Sequence, residues 1–284
     1  MPCPEDNCSS PSDENAHTIQ ISDSVAVRVY SNTMPYNLKI AELQKGLILV
    51  HNGTETVGEG TGFGVPVLVY SDETYFSGTS KMHVSKIDGK WLIRKEFLLD
   101  RVPRNSFRNV KLQNQKARNL LGHFSRFYRE QPRFRFLILK GLTQKMQIGT
   151  AFVEARPAGC VTVTYTVDGN NIRVETDFAG IEREKLEKMF VLNEQGSMFF
   201  RRYIDSEGNE LKGSRMGAWD EVLGDWASIC SAKKGFGFKL WTKKDGVLRR
   251  GREYVKDSLD WVGLDYEISP RKSRFGYVIE ILGL

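Results

Sequence analysis

The sequence predicts an all-β protein, a large antiparallel β-sandwich with one substantial amphipathic helix near residues 114–130. Three observations carry this expectation. Short runs rich in Val, Ile, Tyr and Thr recur at close spacing, several with the polar/apolar period of two that marks a half-buried strand. Tight-turn pairs separate them: Asn52-Gly53, Asp88-Gly89 and Asp168-Gly169. Strands do not alternate with helical patterns, so the series does not read as βαβ units around a parallel sheet.

Taken in order, residues 1–18 are poor in apolar residues and rich in Ser, Pro, Asp and Glu, a composition that reads as a disordered acidic tail. Residues 19–284 are expected to form a single β-sandwich domain. Val25, Val27 and Val29 alternate inward, and residues 37–43 alternate through Leu38 and Ile40. The apolar run 47–50 closes at Asn52-Gly53. Strands follow at 65–70, 74–77, 81–87 and 90–99. Between 114 and 130, Leu120, Leu121, Phe124, Phe127 and Tyr128 recur at three- and four-residue spacing, which is one stripe of a helix. Pro132 ends it. Strands resume at 134–139, 147–155, 161–167 and 172–178. A short charged helix is expected at 181–188. Strands at 198–204, 226–231, 235–241, 261–268 and 276–282 complete the set.

A chain of 284 residues with 40% hydrophobic content is ample for one large core. No apolar run approaches the roughly 20 residues that span a bilayer. The polar, acidic N-terminus lacks the basic-then-apolar pattern of a secretory signal, so no membrane partner and a cytoplasmic location are expected. The net charge of +6 is uneven. Residues 101–140 carry eleven bases against the single acid Glu130, and residues 233–256 carry nine against Asp245 and Glu253. Such local fields favour an anionic partner.

The glycine stretch Gly58-Glu59-Gly60-Thr61-Gly62-Phe63-Gly64 resembles a phosphate loop in composition only. A dinucleotide fingerprint needs glycine at the sixth position and a helix after it, whereas here the sixth residue is Phe63 and a strand follows. A Walker loop lacks its Gly-Lys-Ser/Thr, and no kinase signature accompanies the stretch. The glycines instead predict a bulge or a close crossing of strands. Gly235-Phe236-Gly237 echoes the pattern, so both segments are expected in strands. No motif implies a cofactor.

Metal ligation has little support. Cys3 and Cys8 lie in the tail, Cys160 and Cys230 stand alone, and His17, His51, His83 and His123 form no close pair. His83, on a strand between Met82 and Val84, stays open as a general base, because such a base need only meet its partners in space.

The richest chemical cluster is Trp219-Asp220-Glu221-Val222-Leu223-Gly224-Asp225-Trp226, two tryptophans around three carboxylates. Indole faces stack on sugar CH groups, and carboxylates bind hydroxyls or act as acid and base. The alternative reading makes the tryptophans core anchors and the acids solvent-facing. The basic segment around Arg104, Arg108, Arg126, Arg129, Arg133 and Arg135 is interleaved with aromatic residues, as nucleic-acid surfaces are, although the helical aromatics share one stripe and suit a core.

Many antiparallel strands, a glycine-led strand running into an apolar segment, and the Trp-Asp-x-x-x-Gly-Asp-Trp region together resemble the galactose-mutarotase-like β-supersandwich proteins across residues 23–284. No catalytic His/Glu pair of that family can be matched residue by residue. The resemblance implies carbohydrate handling. The first expectation is therefore a carbohydrate-binding or carbohydrate-modifying protein. Asp220, Asp225 and His83 would be its acid/base candidates. Trp219 and Trp226 would stack the ligand, and Arg104 and Arg108 would pair with an anionic sugar. The alternative is a non-catalytic module binding nucleic acid or another polyanion through a basic face.

Overall fold

The computed structural model describes residues 16–31, 44–57, 61–71, 73–103, 158–196, 199–212, 215–216, 219–231, 235–255 and 259–283. Its strands begin with β1 (Ala16–Gln20), β2 (Val25–Tyr30), β3 (Ile48–His51), β4 (Thr54–Glu55), β5 (Gly62–Tyr70) and β6 (Glu73–Ile87). They continue as β7 (Lys90–Pro103), β8 (Gly159–Asp168), β9 (Asn171–Ile181), β10 (Leu186–Gly196), β11 (Arg202–Asp205) and β12 (Glu210–Lys212). The last are β13 (Asp220–Glu221), β14 (Trp226–Cys230), β15 (Gly237–Trp241), β16 (Gly246–Val255), β17 (Leu259–Ile268) and β18 (Arg274–Leu282). All pairings of these strands are antiparallel. Among the described residues there is no α-helix, and so none that is long and apolar enough to cross a membrane. The expected helix near 114–130, with the strands at 134–139 and 147–155, lies outside the described residues.

The alternation read from the sequence is the alternation of burial. In β8 Val161, Val163, Tyr165 and Val167 are buried, and in β9 Ile172, Val174 and Phe178, while Arg173 and Glu175 face out. The hairpin pairs turn as their chemistry requires. Asn52 and Gly53 have φ of 49° and 74°, and Asp88 and Gly89 have 50° and 79°, both central residues being left-handed as a type I′ turn demands.

Three expectations change. β1 begins at Ala16, so residues 16–18 are strand and not tail. The runs at 74–77 and 81–87 are one strand, β6, kinked where its register against β7 shifts between Ser77 and Thr79. Residues 181–188 are not a helix: β9 ends at Ile181, the chain turns with Lys185 at φ 62°, and β10 starts at Leu186. Four charged residues are too few to sustain a helix when the strands on either side already supply the hydrogen-bonding partners.

The strands form a four-stranded sheet, β1-β2-β3-β4, and a fourteen-stranded one ordered β12-β11-β14-β15-β18-β9-β8-β7-β6-β5-β10-β17-β16-β13. In a flat sheet the seven spacings between β18 and β17 would hold them about 34 Å apart. Yet the rings of Tyr277 on β18 and Tyr266 on β17 lie 4.8 Å apart. Phe63 on β5 meets Phe238 on β15 edge-on at 4.8 Å. The large sheet is therefore folded over on itself. Its two halves enclose the core as a sandwich, and the small sheet adds Val25, Val27, Val29 and Leu49 to that core.

The glycine-led strand sits where the halves meet. Gly64 has φ +79°, and a Cβ there would lie 2.6 Å from the Tyr165 hydroxyl. That hydroxyl donates to the Phe63 carbonyl at 2.7 Å. The register of β5 against β10 shifts at this point, between Leu192 and Asn193. The glycine thus admits a crossing aromatic at a bulge. At Gly237, opening β15, the close neighbour is instead the Ile229 carbonyl, 2.3 Å from a Cβ. Both segments lead into strands, but only the first is crossed by a ring.

Candidate functional site

The 219–226 segment ties the two halves of the large sheet together, and this pulls its residues apart. Trp219 has φ +64°, a conformation that costs a bulky side chain about 1–3 kcal/mol unless packing enforces it. Asp220 and Glu221 form β13 and pair with Arg250 and Arg249 of β16. Val222 donates to the Leu248 carbonyl at 2.8 Å and is buried. Asp225 then takes up the other half: its N–H donates to Ser206 Oγ at 2.6 Å, and its carbonyl accepts from Thr242 N and Oγ1. From there the chain enters β14.

The acids of the segment consequently face solvent. The exposed Asp220 carboxylate lies 3.7 Å from Arg250 Nη2, and Asp225, also exposed, works through its backbone. Trp226 points away from the core on the outer face of β14. His83 is exposed on β6, opposite Arg94 of β7. Arg104 and Arg108 lie outside the described residues.

Trp219 does reach carboxylates, but not those beside it in sequence. Its indole lies on Gly251 of β16 and Gly263 of β17, which are directly opposite in register. A Cβ on Gly251 would sit 2.4 Å from Trp219 Cδ2. A Cβ on Gly263 would sit 3.0 Å from Trp219 Cη2, 3.0 Å from Glu194 Cγ and 3.2 Å from Asp265 Oδ1. Glu194 stands opposite Gly263 on β10. Three strands thus bring one indole and two carboxylates to the same spot, and the glycines leave room for them.

Both carboxylates are buried, Glu194 at 2% and Asp265 at 3% exposure. Burying charge is costly unless it is hydrogen-bonded, and here it is. Thr61 Oγ1 donates to Glu194 Oε2 at 3.2 Å, and the Asn193 N–H donates to Asp265 Oδ1 at 2.6 Å. The Asn193 side chain fixes the bulge beneath them. It accepts from Gly64 N and from the Tyr277 hydroxyl, and donates to the Leu264 carbonyl at 3.2 Å. Burial, reinforced by the charges of Tyr165, Tyr266 and Asp265, pushes the Tyr277 pKa far up, so its hydroxyl stays a neutral donor. Arg249 closes the outer side. It bonds Glu267 Oε2 at 2.7 Å and donates to the Trp219 carbonyl at 3.3 Å.

Such an arrangement offers an apolar aromatic face above a pair of fixed carboxylates, which can accept from hydroxyls or exchange a proton. Glu194 and Asp265 were not singled out from the sequence. The available signals were the polar triple Asn193-Glu194-Gln195 following an apolar strand, and the isolated Gly263 inside another. In the basic stretch 233–256, Lys239, Arg249 and Arg250 are held in ion pairs: Lys239–Glu280 at 2.7 Å, Arg249–Glu267 at 2.7 Å and Arg250–Asp220 at 3.7 Å. Among the described residues no group of His, Cys, Asp and Glu is placed to hold a metal ion.

No protein-family model matches the chain, and no curated protein matches it. Among solved structures it is similar to the α-N-acetylgalactosaminidase NagBb from Bifidobacterium bifidum in its GalNAc complex, with TM-score 0.50 and 9% identity over 94% of this chain and 36% of that one. The ligand-free form of that protein gives TM-score 0.46 and 8% identity over 93% and 35%. Slr1438 from Synechocystis sp. PCC 6803 gives 0.40 and 10% over 99% and 100%. The chain spans about a third of the length of the glycosidase, and what it shares with that part is the antiparallel β fold.

Proposed function

We propose that this protein binds or modifies a saccharide at the Trp219 site. The observation that carries the reading is the indole of Trp219, held in a strained backbone over the buried pair Glu194 and Asp265. The half-buried indole of Trp219 is the proposed stacking surface for a sugar ring. Glu194 and Asp265, beside its Cη2 edge, are the proposed partners for hydroxyls or the acid and base, the part first read for Asp220 and Asp225. Arg104 and Arg108 are the proposed charge partners if the sugar is anionic. The fold shared with part of a glycosidase supports the ligand class by analogy of architecture.

An array of neutral and acidic mono- and oligosaccharides, GalNAc included, tests the proposal by calorimetry on the full chain. Binding weakened about tenfold or more by Glu194→Gln and by Trp219→Phe is expected. No binding across the array, or binding untouched by Glu194→Gln in a protein with unchanged circular dichroism, refutes it. Retention on heparin lost steeply with salt, without any sugar binding, would establish the polyanion reading in its place.

A further inference from the structure

We propose a second saccharide-binding surface, an aromatic platform made by Trp226 and Trp241 on the outer face of the folded sheet, whose ligand is a neutral oligosaccharide. The proposal takes from the preceding section only the class of ligand and uses none of the Trp219 residues.

β14 and β15 pair with Trp226 opposite Trp241, Ala227 opposite Leu240 and Ser228 opposite Lys239. The strand period sends Ala227, Ile229, Phe238 and Leu240 into the core, so Trp226, Lys239 and Trp241 share the outward face. Trp241 is 42% exposed and Trp226 is half-buried. The core is filled from the opposite face of these strands and has no use for either indole. Lys239 lies between them, its Nζ 5.4 Å from the Trp226 ring centroid and 4.8 Å from that of Trp241. Glu280 on β18 holds the ammonium at 2.7 Å.

The platform is rigidly mounted. The Tyr266 hydroxyl donates to the Trp241 carbonyl at 2.6 Å, and Thr242 donates to the Asp225 carbonyl at 2.9 Å. These bonds clamp the residues flanking both tryptophans. Little ordering entropy is therefore lost when a ring stacks on them. An open groove of about 460 Å³ is lined by Asp225 and Thr242, the residues adjoining Trp226 and Trp241 in sequence, and continues past Lys243, Asp245 and Glu267.

Charge selects the occupant. The ammonium and carboxylate on the platform neutralise each other, leaving a donor and an acceptor for hydroxyls but no net field for an anion. The groove carries carboxylates together with lysines and likewise offers no cationic cradle. Indole faces with a balanced polar pair fit the CH face and hydroxyl rim of a neutral hexopyranose.

The test titrates the full-length protein with maltohexaose, cellohexaose and polygalacturonate, following tryptophan fluorescence and heat of binding. At least one neutral probe should bind, with affinity falling about tenfold or more in Trp241→Ala, partly restored in Trp241→Phe, and unchanged in the surface control Lys90→Ala. Binding of neither neutral probe, equal binding by Trp241→Ala, or preference for polygalacturonate overturns the platform. Loss in Glu194→Gln with none in Trp241→Ala would leave the first site standing and this one refuted.

Discussion

Lys95 is wholly buried on β7, and among the described residues its ammonium meets neutral acceptors. Nζ donates to the Tyr30 carbonyl at 2.7 Å and to the Lys45 carbonyl, and lies 5.2 Å from the centre of the Phe97 ring. Burial, helped by the nearby Lys45 charge, lowers its pKa to about 7. An unfolded lysine titrates near 10.4. Below pH 7 both states are protonated and folding bears the full cost of burying the charge. Above pH 7 the folded state releases a proton that the unfolded state keeps, so stability rises with pH until the unfolded lysine also deprotonates. Linkage between these values gives a gain of about 2 kcal/mol from pH 7 to pH 9. Lys95→Met keeps a flexible side chain of similar length and removes the titration. Urea unfolding at pH 7, 8 and 9 should show this rise in the native protein and its loss in the variant. The difference between the two proteins is the readout, because both retain Cys160 and Cys230, whose raised pKa values act in the opposite direction over this window. The raised pKa values of Tyr165, Tyr266 and Tyr277 act only above about pH 10. Parallel pH profiles for native protein and Lys95→Met would refute the account.

Three further outcomes follow from packing. Gly251→Ala drives a methyl to 2.4 Å from Trp219 Cδ2; it should cost about 1–3 kcal/mol in chemical denaturation and shift tryptophan fluorescence, and an unchanged spectrum would mean the indole does not lie on the glycine pair. Tyr165→Phe deletes one of two bonds to the Phe63 carbonyl, which keeps the Leu47 N–H at 3.0 Å, a loss of about 0.5–1.5 kcal/mol by urea titration; a neutral result would remove the crossing at Gly64 from the stability of the fold. Phe238→Ala opens a cavity between Phe63 and Phe200 and should cost about 3–5 kcal/mol, with a value under about 1 kcal/mol arguing against contact between the halves of the large sheet.

The strands and hairpins were legible because their signals are local. Asn52-Gly53 and Asp88-Gly89 carry their left-handed φ values with them, and Val161-to-Val167 alternates on any sheet that buries one face. The charged stretch 181–188 misled for the same reason. Its local preference is weak, and the pairing of Leu186 with Tyr70, more than a hundred residues away, outweighs it. Around Trp219 the sequence marks the aromatic but not the carboxylates it meets, because Glu194 and Asp265 are far from it in the chain and reach it only through strand pairing.

By itself the sequence determined an all-β antiparallel fold, the turn positions, a glycine-marked crossing at Gly64 and the candidacy of Trp219 and Trp226. Only the tertiary structure decided what each of these touches. Residues 219–226 are stretched between the two halves of a folded sheet, so Asp220 and Asp225 face solvent. Strand register, set by pairings across the whole chain, carries Glu194 and Asp265 beneath Trp219 and brings Trp241 beside Trp226. Hydrogen-bond register is a long-range quantity, and a slip of one residue would send each of these side chains to the opposite face.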